Sequence, residues 1–573
     1  MKFLFLMVFG VRFLKGNLKM SNYNFATVPK AEIQRSSFDR SHSWKGTFNS
    51  SKLIPFFVDE CLPGDTFNLN VSMLCRLATP IVPIMDNLYI DTFFFFVPNR
   101  LVWNNFQKFM GEREDPDDSI DYLIPQTFSA DTDVKANSVL DYFGFPIGNI
   151  YGVGGSTNNK LNANVLPLRA YCLIWNEWFR DENLQDSIKI QKGDASGYTT
   201  DISSLPNGLF SAANSALPRG KRHDYFTSAL PWPQKGDSVD IPLGTEAPVI
   251  GVSDIRFAAG PDYTKKYGLS FSQQGLGSVS GNVASNYNFK IVGASVGTDT
   301  YEGDGLWNLK YADGLKVDLT NATAATINTL RQAFQVQRLL ERDARGGTRY
   351  TELLRSHFNV VSPDARLQRP EYLGGSSTPF VVNPVAQTAS TDATTPQGNL
   401  AAFGISAPSF HGFTKSFVEH GYIIGLCCVR SDLTYQQGLN KMWSRKTRYD
   451  FYWPTLAHLG EQAILNQEIY AQGTSDDKDV FGYQERYAEY RYKPSMITGE
   501  FRSTYSQPLD IWHLAQKFDS LPTLSADFIT ENVPIGRVIA VPSEPEFLMD
   551  VYFKLNCVRP MPLYGTPGLI DHF

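Results

Sequence analysis

The stretch KRHDYFTSALPWPQKG opens on Lys221, Arg222, His223 and Asp224. Those types would supply a general base beside an anion clamp. Two points count against that chemistry. Neighbouring side chains point in different directions, and no nucleophile or metal partner is identifiable elsewhere in the chain. The LPWPQKG that follows is stiff, proline-set structure. The stretch is therefore expected to be structural or part of an interface.

Other candidates fail for specific reasons. In GVGGSTNNK (152–160), Thr157 stands where a dinucleotide fingerprint needs its third glycine. Lys160 follows an asparagine, so a Walker loop is excluded as well. GLGSVSG does not fit the nucleophile elbow. WNEW offers Glu177 beside Trp175 and Trp178, but the glutamate belongs to the polar side of an amphipathic helix and lacks a second carboxylate. EDPDDSID (Glu114–Asp121) carries Pro116 and no glycine in register, which rules out an EF-hand and leaves a solvated acidic turn. The 8 histidines form no H-x-x-x-H pair. The 6 cysteines, at 61, 75, 172, 427, 428 and 557, form no C-x-x-C pair. Buried, reduced thiols of a cytosolic protein are expected, with no metal site, disulfide framework or cofactor.

The elements that position these residues are mostly strands. In DTFNLNVSMLCRL, residues Phe67, Leu69, Val71, Met73, Cys75 and Leu77 form one face. In FLMDVYFKLNC, residues Phe547, Met549, Val551, Phe553, Leu555 and Cys557 do the same. This period of two marks long strands with one buried side. One lies near the start of the chain and the other near its end, which suggests an antiparallel sandwich with non-local pairing. LYIDTFFFFV (Leu88–Val97) and GYIIGLCCV (Gly421–Val429) read as more fully buried strands. FGYQERYAEYRY (Phe481–Tyr492) alternates less regularly and fits a strand or an irregular aromatic segment.

Helices are fewer. LPLRAYCLIWNEWFRDENLQ has Pro167 near its start and an apolar face of Leu168, Tyr171, Cys172, Trp175, Trp178 and Phe179. TINTLRQAFQVQRLLERDARGG spaces Ile327, Leu330, Phe334 and Leu340 helically and ends at Gly346 and Gly347. A shorter helix is expected after Pro98. Helices and strands do not alternate regularly, so a doubly wound parallel sheet is excluded.

Two stretches read as surface excursions. Gly244–Asn321 is rich in Gly, Ser, Asn, Asp and Tyr. The segment 374–400, GGSSTPFVVNPVAQTASTDATTPQGNL, is small and polar and is expected to be a flexible loop. One segment, RQAFQVQRLLERDARGGTRYTELLRSHF, is dense in arginine, with RLQRPEYLGG soon after. Arg345, Arg349, Arg366 and Arg369 suit oriented interface contacts, or else ion pairs along a helix. The net charge of -6 argues against a free-standing nucleic-acid binder.

Six phrases together resemble the major capsid proteins of the Microviridae, in their gokushovirus branch: NFATVPKAEIQRSSFDRSH, VDECLPGDTF, LPLRAYCLIWNEWFRDENLQ, KRHDYFTSALPWPQKG, ERDARGGTRYTELLRSHFNVVSPDARLQRPEYLGG and RPMPLYGTPGLIDHF. The resemblance runs in order from Met20 to Phe573. It implies a mainly β chain, an eight-stranded antiparallel jelly roll with large insertions that carry a few α-helices. It implies a homo-oligomer of pentamers in a T=1 icosahedral shell of about 60 copies around a circular single-stranded DNA genome. It implies a small basic DNA-binding protein, an internal scaffolding protein and a pilot protein as partners. It implies no enzymatic activity, assembly in the bacterial cytoplasm, and residence in the virion. An insertion after LPWPQKG, here 244–321, would form threefold protrusions that contact a host receptor. Gly275, Gly277, Gly281 and Tyr287 are the candidates near its tip, and Lys221, Arg222 and His223 are candidates for an interface.

Met1–Lys19 departs from the family pattern. Its apolar run is interrupted by Arg12, lacks a cleavage site, and is too short to span a bilayer. It is expected to precede a true start at Met20, and no membrane insertion is expected. A different class would use that apolar stretch, the sequons at Asn49, Asn70 and Asn321, and the tryptophans. That class is a secreted carbohydrate-binding or glycosidase-like β-sandwich.

Overall fold

The computed structural model describes residues 34–113, 115–126, 132–151, 161–195, 216–237, 327–346, 368–392 and 396–564, with short pieces at 249–251, 256–257, 309–310, 315–317, 352 and 356–357. The two alternating segments are strands, β4 (Thr66–Leu77) and β11 (Phe547–Arg559), and they pair with each other. The register runs antiparallel from Phe547 opposite Leu77 to Val558 opposite Thr66. Every second side chain of both strands is buried and the others face outward. Side chains directly opposite share a face, so the pairing joins two apolar stripes into one floor.

That floor is the centre of one sheet, and a second sheet stacks on it. The first holds seven strands. Its members are β1 (Ser36–Asp39), β2 (His42–Phe48), β4, β7 (Val381–Ala386), β8 (Leu400–Ser406), β9 (Ser409–Ser416) and β11. The second holds four, in the order β6 (Glu371–Pro379), β5 (Leu88–Pro98), β10 (Gly421–Ser431) and β3 (Ile54–Cys61). From β2 to β5 the chain changes sheet at each step, and it changes again around β10. That is the winding of a jelly roll. The strand total exceeds the expected eight because the sheet margins are broken into short pieces. Arg40 and Ser41 separate β1 from β2, and both lie against β11. Between the sheets, Phe553 meets Phe56 at 5.5 Å and Phe57 at 5.0 Å, and Phe94 meets Phe413 at 5.7 Å. Gly425 sits where a Cβ would come within 2.8 Å of both Phe57 and the Phe94 ring, so only glycine fits there.

The second sheet is buried on both sides along its central strands β5 and β10, which explains their unbroken apolar runs. Its far face is covered by helix α1 (Leu166–Ile174), with Pro167 in its first turn. Tyr171 of α1 donates its hydroxyl to the Leu53 carbonyl at 2.8 Å and accepts the Leu217 amide at 2.9 Å. The helix passes into a wider turn over Trp175–Phe179. The expected second helix is α2 (Ile327–Gly346). All six cysteines are free and buried.

The segment 374–400 differs from expectation. Most of its first half is strand, in β6 and β7. Its small residues serve close packing. A Cβ on Gly375 would lie 2.0 Å from the Thr92 carbonyl oxygen, and one on Gly374 would lie 2.4 Å from that of Gly412. Composition alone cannot separate a glycine kept for a turn from one kept for contact.

The chain divides into two compact units, 234–360 and the remainder. Within the larger unit, insertions leave the sandwich between β5 and β6 and between β10 and β11. Among the described residues, no helix is long and apolar enough to cross a membrane.

Neighbouring positions on β11 test the alternation. Phe553→Ala is expected to destabilise the chain by about 3–5 kcal/mol. Tyr552→Ala, at 50% exposure, is expected to change stability by no more than about 0.5 kcal/mol. Thermal melts of the two full-length variants check this.

Candidate assembly surfaces

KRHDYFTSAL is a strap that ties the two insertions to the sandwich. Arg219 donates its amide to the Ser51 carbonyl, and Lys221 donates to that of Ile529 at 2.7 Å. Leu230 and Tyr483 exchange two backbone hydrogen bonds, each of 2.8 Å. Tyr225 and Phe226 then plug a second apolar cluster with Tyr435, Ile464, Phe481, Phe528 and Ile529. Asp224 folds the strap locally. Its Oδ1 accepts the amides of Phe226 and Thr227, and its Oδ2 accepts the Tyr435 hydroxyl at 2.6 Å. This aspartate is occupied as a structural acceptor and is not placed as a base.

The cations of the strap face inward as well. Lys221 is only 9% exposed; it donates to Gln516 Oε1 at 3.0 Å and lies 4.5 Å from the Phe528 ring centre. Arg222 pairs with Asp432 at 3.5 Å and stacks over Tyr89. Arg219 stacks over Phe93 and approaches the buried Asp91, which also takes a charge-assisted bond of 2.6 Å from Arg430. Glu531 completes the cluster. It is 3% exposed, and neither carboxylate oxygen accepts a hydrogen bond from the described residues. Burial pushes its pKa up to about 7, against the opposing pull of Arg430, Lys221, Arg219 and Arg222. Burial also brings Lys221 down to about 8 and Arg219 down to about 10. Such a cluster disfavours other arrangements, because moving Asp91 away would leave Arg219 and Arg430 buried without their carboxylate.

A different surface is exposed and apolar. Tyr449, Phe451, Tyr452, Trp453 and Tyr490 are between 47% and 54% exposed. Two of them flank Arg445, whose guanidinium lies 4.4 Å from the Tyr490 ring centre and 5.2 Å from that of Phe451, and Tyr449 lies under Arg448 at 4.7 Å. Arg445 also pairs with the buried carboxylate of Glu489 at 3.3 Å. Local bonds fix the face. A capping box joins Thr447 to Asp450, Trp453 donates its indole N–H to the Arg448 carbonyl, and Tyr487 donates to that of Tyr449. Trp443 and Met442 are exposed on the same segment. Contiguous exposed aromatics of this kind mark an interaction site.

Residues 26–569, nearly the whole chain, match the family described as Capsid protein (F protein). The chain belongs to this phage capsid family. It is 46% identical to Capsid protein VP1 of Bdellovibrio phage phiMH2K, over 98% of this chain and 100% of the relative. It is 45% identical to that of Chlamydia phage 1, over 95% and 97%. For Spiroplasma virus 4 the identity is 36%, over 96% and 99%. The protein is thus a gokushovirus-like major capsid protein of the Microviridae, a structural component of the virion and not an enzyme. As a capsid protein it associates with its own copies into a shell. These likenesses give no support to the secreted sugar-binding alternative.

The residues expected at interfaces of this capsid protein fare differently. Lys221 is buried and Arg222 half-buried, because their partners Gln516 and Asp432 come from the other insertion; His223 is exposed. Arg345 is exposed at the end of α2. Arg369 is exposed and stacks over Trp178 at 5.4 Å. Arg349, Arg366, Gly275, Gly277, Gly281 and Tyr287 lie outside the described residues, as does the stretch 152–160. The aromatic face went unlocated in the sequence, where only the density of Trp, Tyr and Arg over 442–453 could have signalled it.

Glu531 gives a pH test with a definite sign. Its proton is held more tightly in the folded chain than at the ordinary value of 4.5, so the associated stability is present below that pH and is lost as pH rises through about 7. Relative to Glu531→Gln, the wild type is expected to lose roughly 2–3 kcal/mol of stability between pH 4.5 and pH 8. Melting temperatures across that range check the difference.

Proposed function

We propose that this capsid protein builds a T=1 icosahedral shell from pentamers, about 60 copies in all, around a circular single-stranded DNA genome. The observation that carries this reading is the full-length likeness to three VP1 capsid proteins. The fold supports it. A sandwich closed by the pairing of β4 with β11 supports a role as a tile, and two insertions supply surfaces for neighbours. The net charge of -6 supports a division of labour, in which a small basic protein neutralises the packaged phosphates. An internal scaffolding protein and a pilot protein complete the partners, with assembly in the bacterial cytoplasm.

The unit 234–360 is read as the threefold protrusion that meets the host receptor, with 244–321 as its outer part and Gly275, Gly277, Gly281 and Tyr287 toward the tip. Its separate compactness supports that reading. His223, Arg345, Arg349, Arg366 and Arg369 remain candidates for contacts between copies. Lys221 and Arg222 serve the interior joint instead.

The test is the assembly state of the chain expressed alone and with the genes that flank it. Sedimentation and negative-stain electron microscopy are expected to show uniform small icosahedral particles in at least the second case. A monodisperse monomer in both cases would overturn the proposal.

A further inference from the structure

We propose that the arginine-centred aromatic face of one copy docks the acidic, apolar-tipped segment at Met110–Arg113 and Asp115–Leu123 of the next copy. This rests on the capsid reading, which requires that copies touch. The face presents Phe451 and Tyr490 against Arg445, Tyr452 beside Tyr490, and Tyr449 and Trp453 beside Arg448, with Lys446 and Arg448 exposed among them. Its carboxylates are engaged from within. Glu489 is held by Arg445 and Gln462, and Asp450 accepts the amides of Lys446 and Thr447. With Arg445 matched by Glu489, exposed Lys446 and Arg448 outnumber exposed Asp450, so the outward charge of the face is net positive.

The segment is its complement. Glu112, Asp115, Asp117 and Asp121 are exposed there, and among the described acids only Asp118 forms an ion pair, with Lys108 at 3.2 Å. Between and beside these acids stand Met110 at 50% exposure, Ile120 at 37% and Leu123 at 86%. An 86% exposed leucine beside unpaired carboxylates matches an aromatic surface beside unpaired cations in both polarity and charge. Pro116 and Pro125 stiffen the segment, which lowers the entropy lost on docking.

Both surfaces belong to one chain and both are exposed, so every copy carries one half of the contact for each partner it meets.

The test is a charge swap in the full chain, expressed under the conditions that give wild-type particles. Lys446→Glu with Arg448→Glu, and separately Asp117→Lys with Asp121→Lys, are each expected to lower particle yield about tenfold or more. Copies that carry all four substitutions are expected to recover to within about threefold of wild type. Unchanged yield in the one-sided variants, or no recovery in the fourfold variant with melting temperatures like wild type, would overturn the contact and leave the capsid reading standing. Should the reversals fail to fold, Leu123→Cys with Tyr452→Cys gives a second readout. Assembled particles are expected to show a ladder of crosslinked copies on a non-reducing gel, and its absence overturns the contact. If the wild type forms no particle in any condition, the capsid reading falls and this contact falls with it.

Discussion

The pairing of β4 with β11 is the constraint on which the rest depends. It joins residues from the two ends of the chain along twelve successive register positions, Thr66 through Leu77. The chain between them supplies β5 to β10 of the sandwich, and the insertions after β5 and after β10 must leave the sandwich and return to it. Loop closure over so long a span is unfavourable until the apolar floor forms, so the frame has to be won by burial. The six inward side chains of each strand supply that burial. Once the frame is fixed, the insertions grow without disturbing it, because a closed sandwich takes its register from its own alternation.

The strap at 216–232 solves the problem that such growth creates. The first insertion leaves beyond Pro98 and the second beyond Ser431, at opposite ends of the β5–β10 pair. Left alone, each would move independently. The strap binds both, by backbone bonds to Ile529 and Tyr483 and by a cluster of charges that meets Asp91 and Arg430 of the second sheet. Buried charges add little net stability, but they punish every wrong arrangement. For a tile that must fit identical neighbours, one geometry matters more than a few additional kcal/mol.

Much of this frame was legible in the residues. Phe67 to Leu77 and Phe547 to Cys557 announce half-buried strands by their period, and Pro167 with the apolar spacing after it announces α1. The resemblance then names the winding. The charges at Lys221 and Arg222 were legible only as charges. Their partners Gln516, Asp432 and Glu531 lie far along the chain, and nothing local distinguishes a buried ion cluster from a solvated one. The strand at Glu371–Pro379 was hidden by its glycines, which serve backbone contact with Thr92 and Gly412. The aromatic face was hidden because 3₁₀ turns at Lys441–Ser444 and Arg448–Asp450 leave no period to read.

The buried cysteines have a consequence for the particle as a material. A shell packs many copies at very high local concentration, where accessible thiols would crosslink neighbours as soon as the surroundings became oxidising. Only the thiolate reacts, and burial holds Cys428 up to about 12, with Cys427 and Cys172 also raised. A change from reducing to oxidising surroundings therefore leaves the contacts between copies free of disulfides from these thiols. Their strength is then set by packing and charge alone.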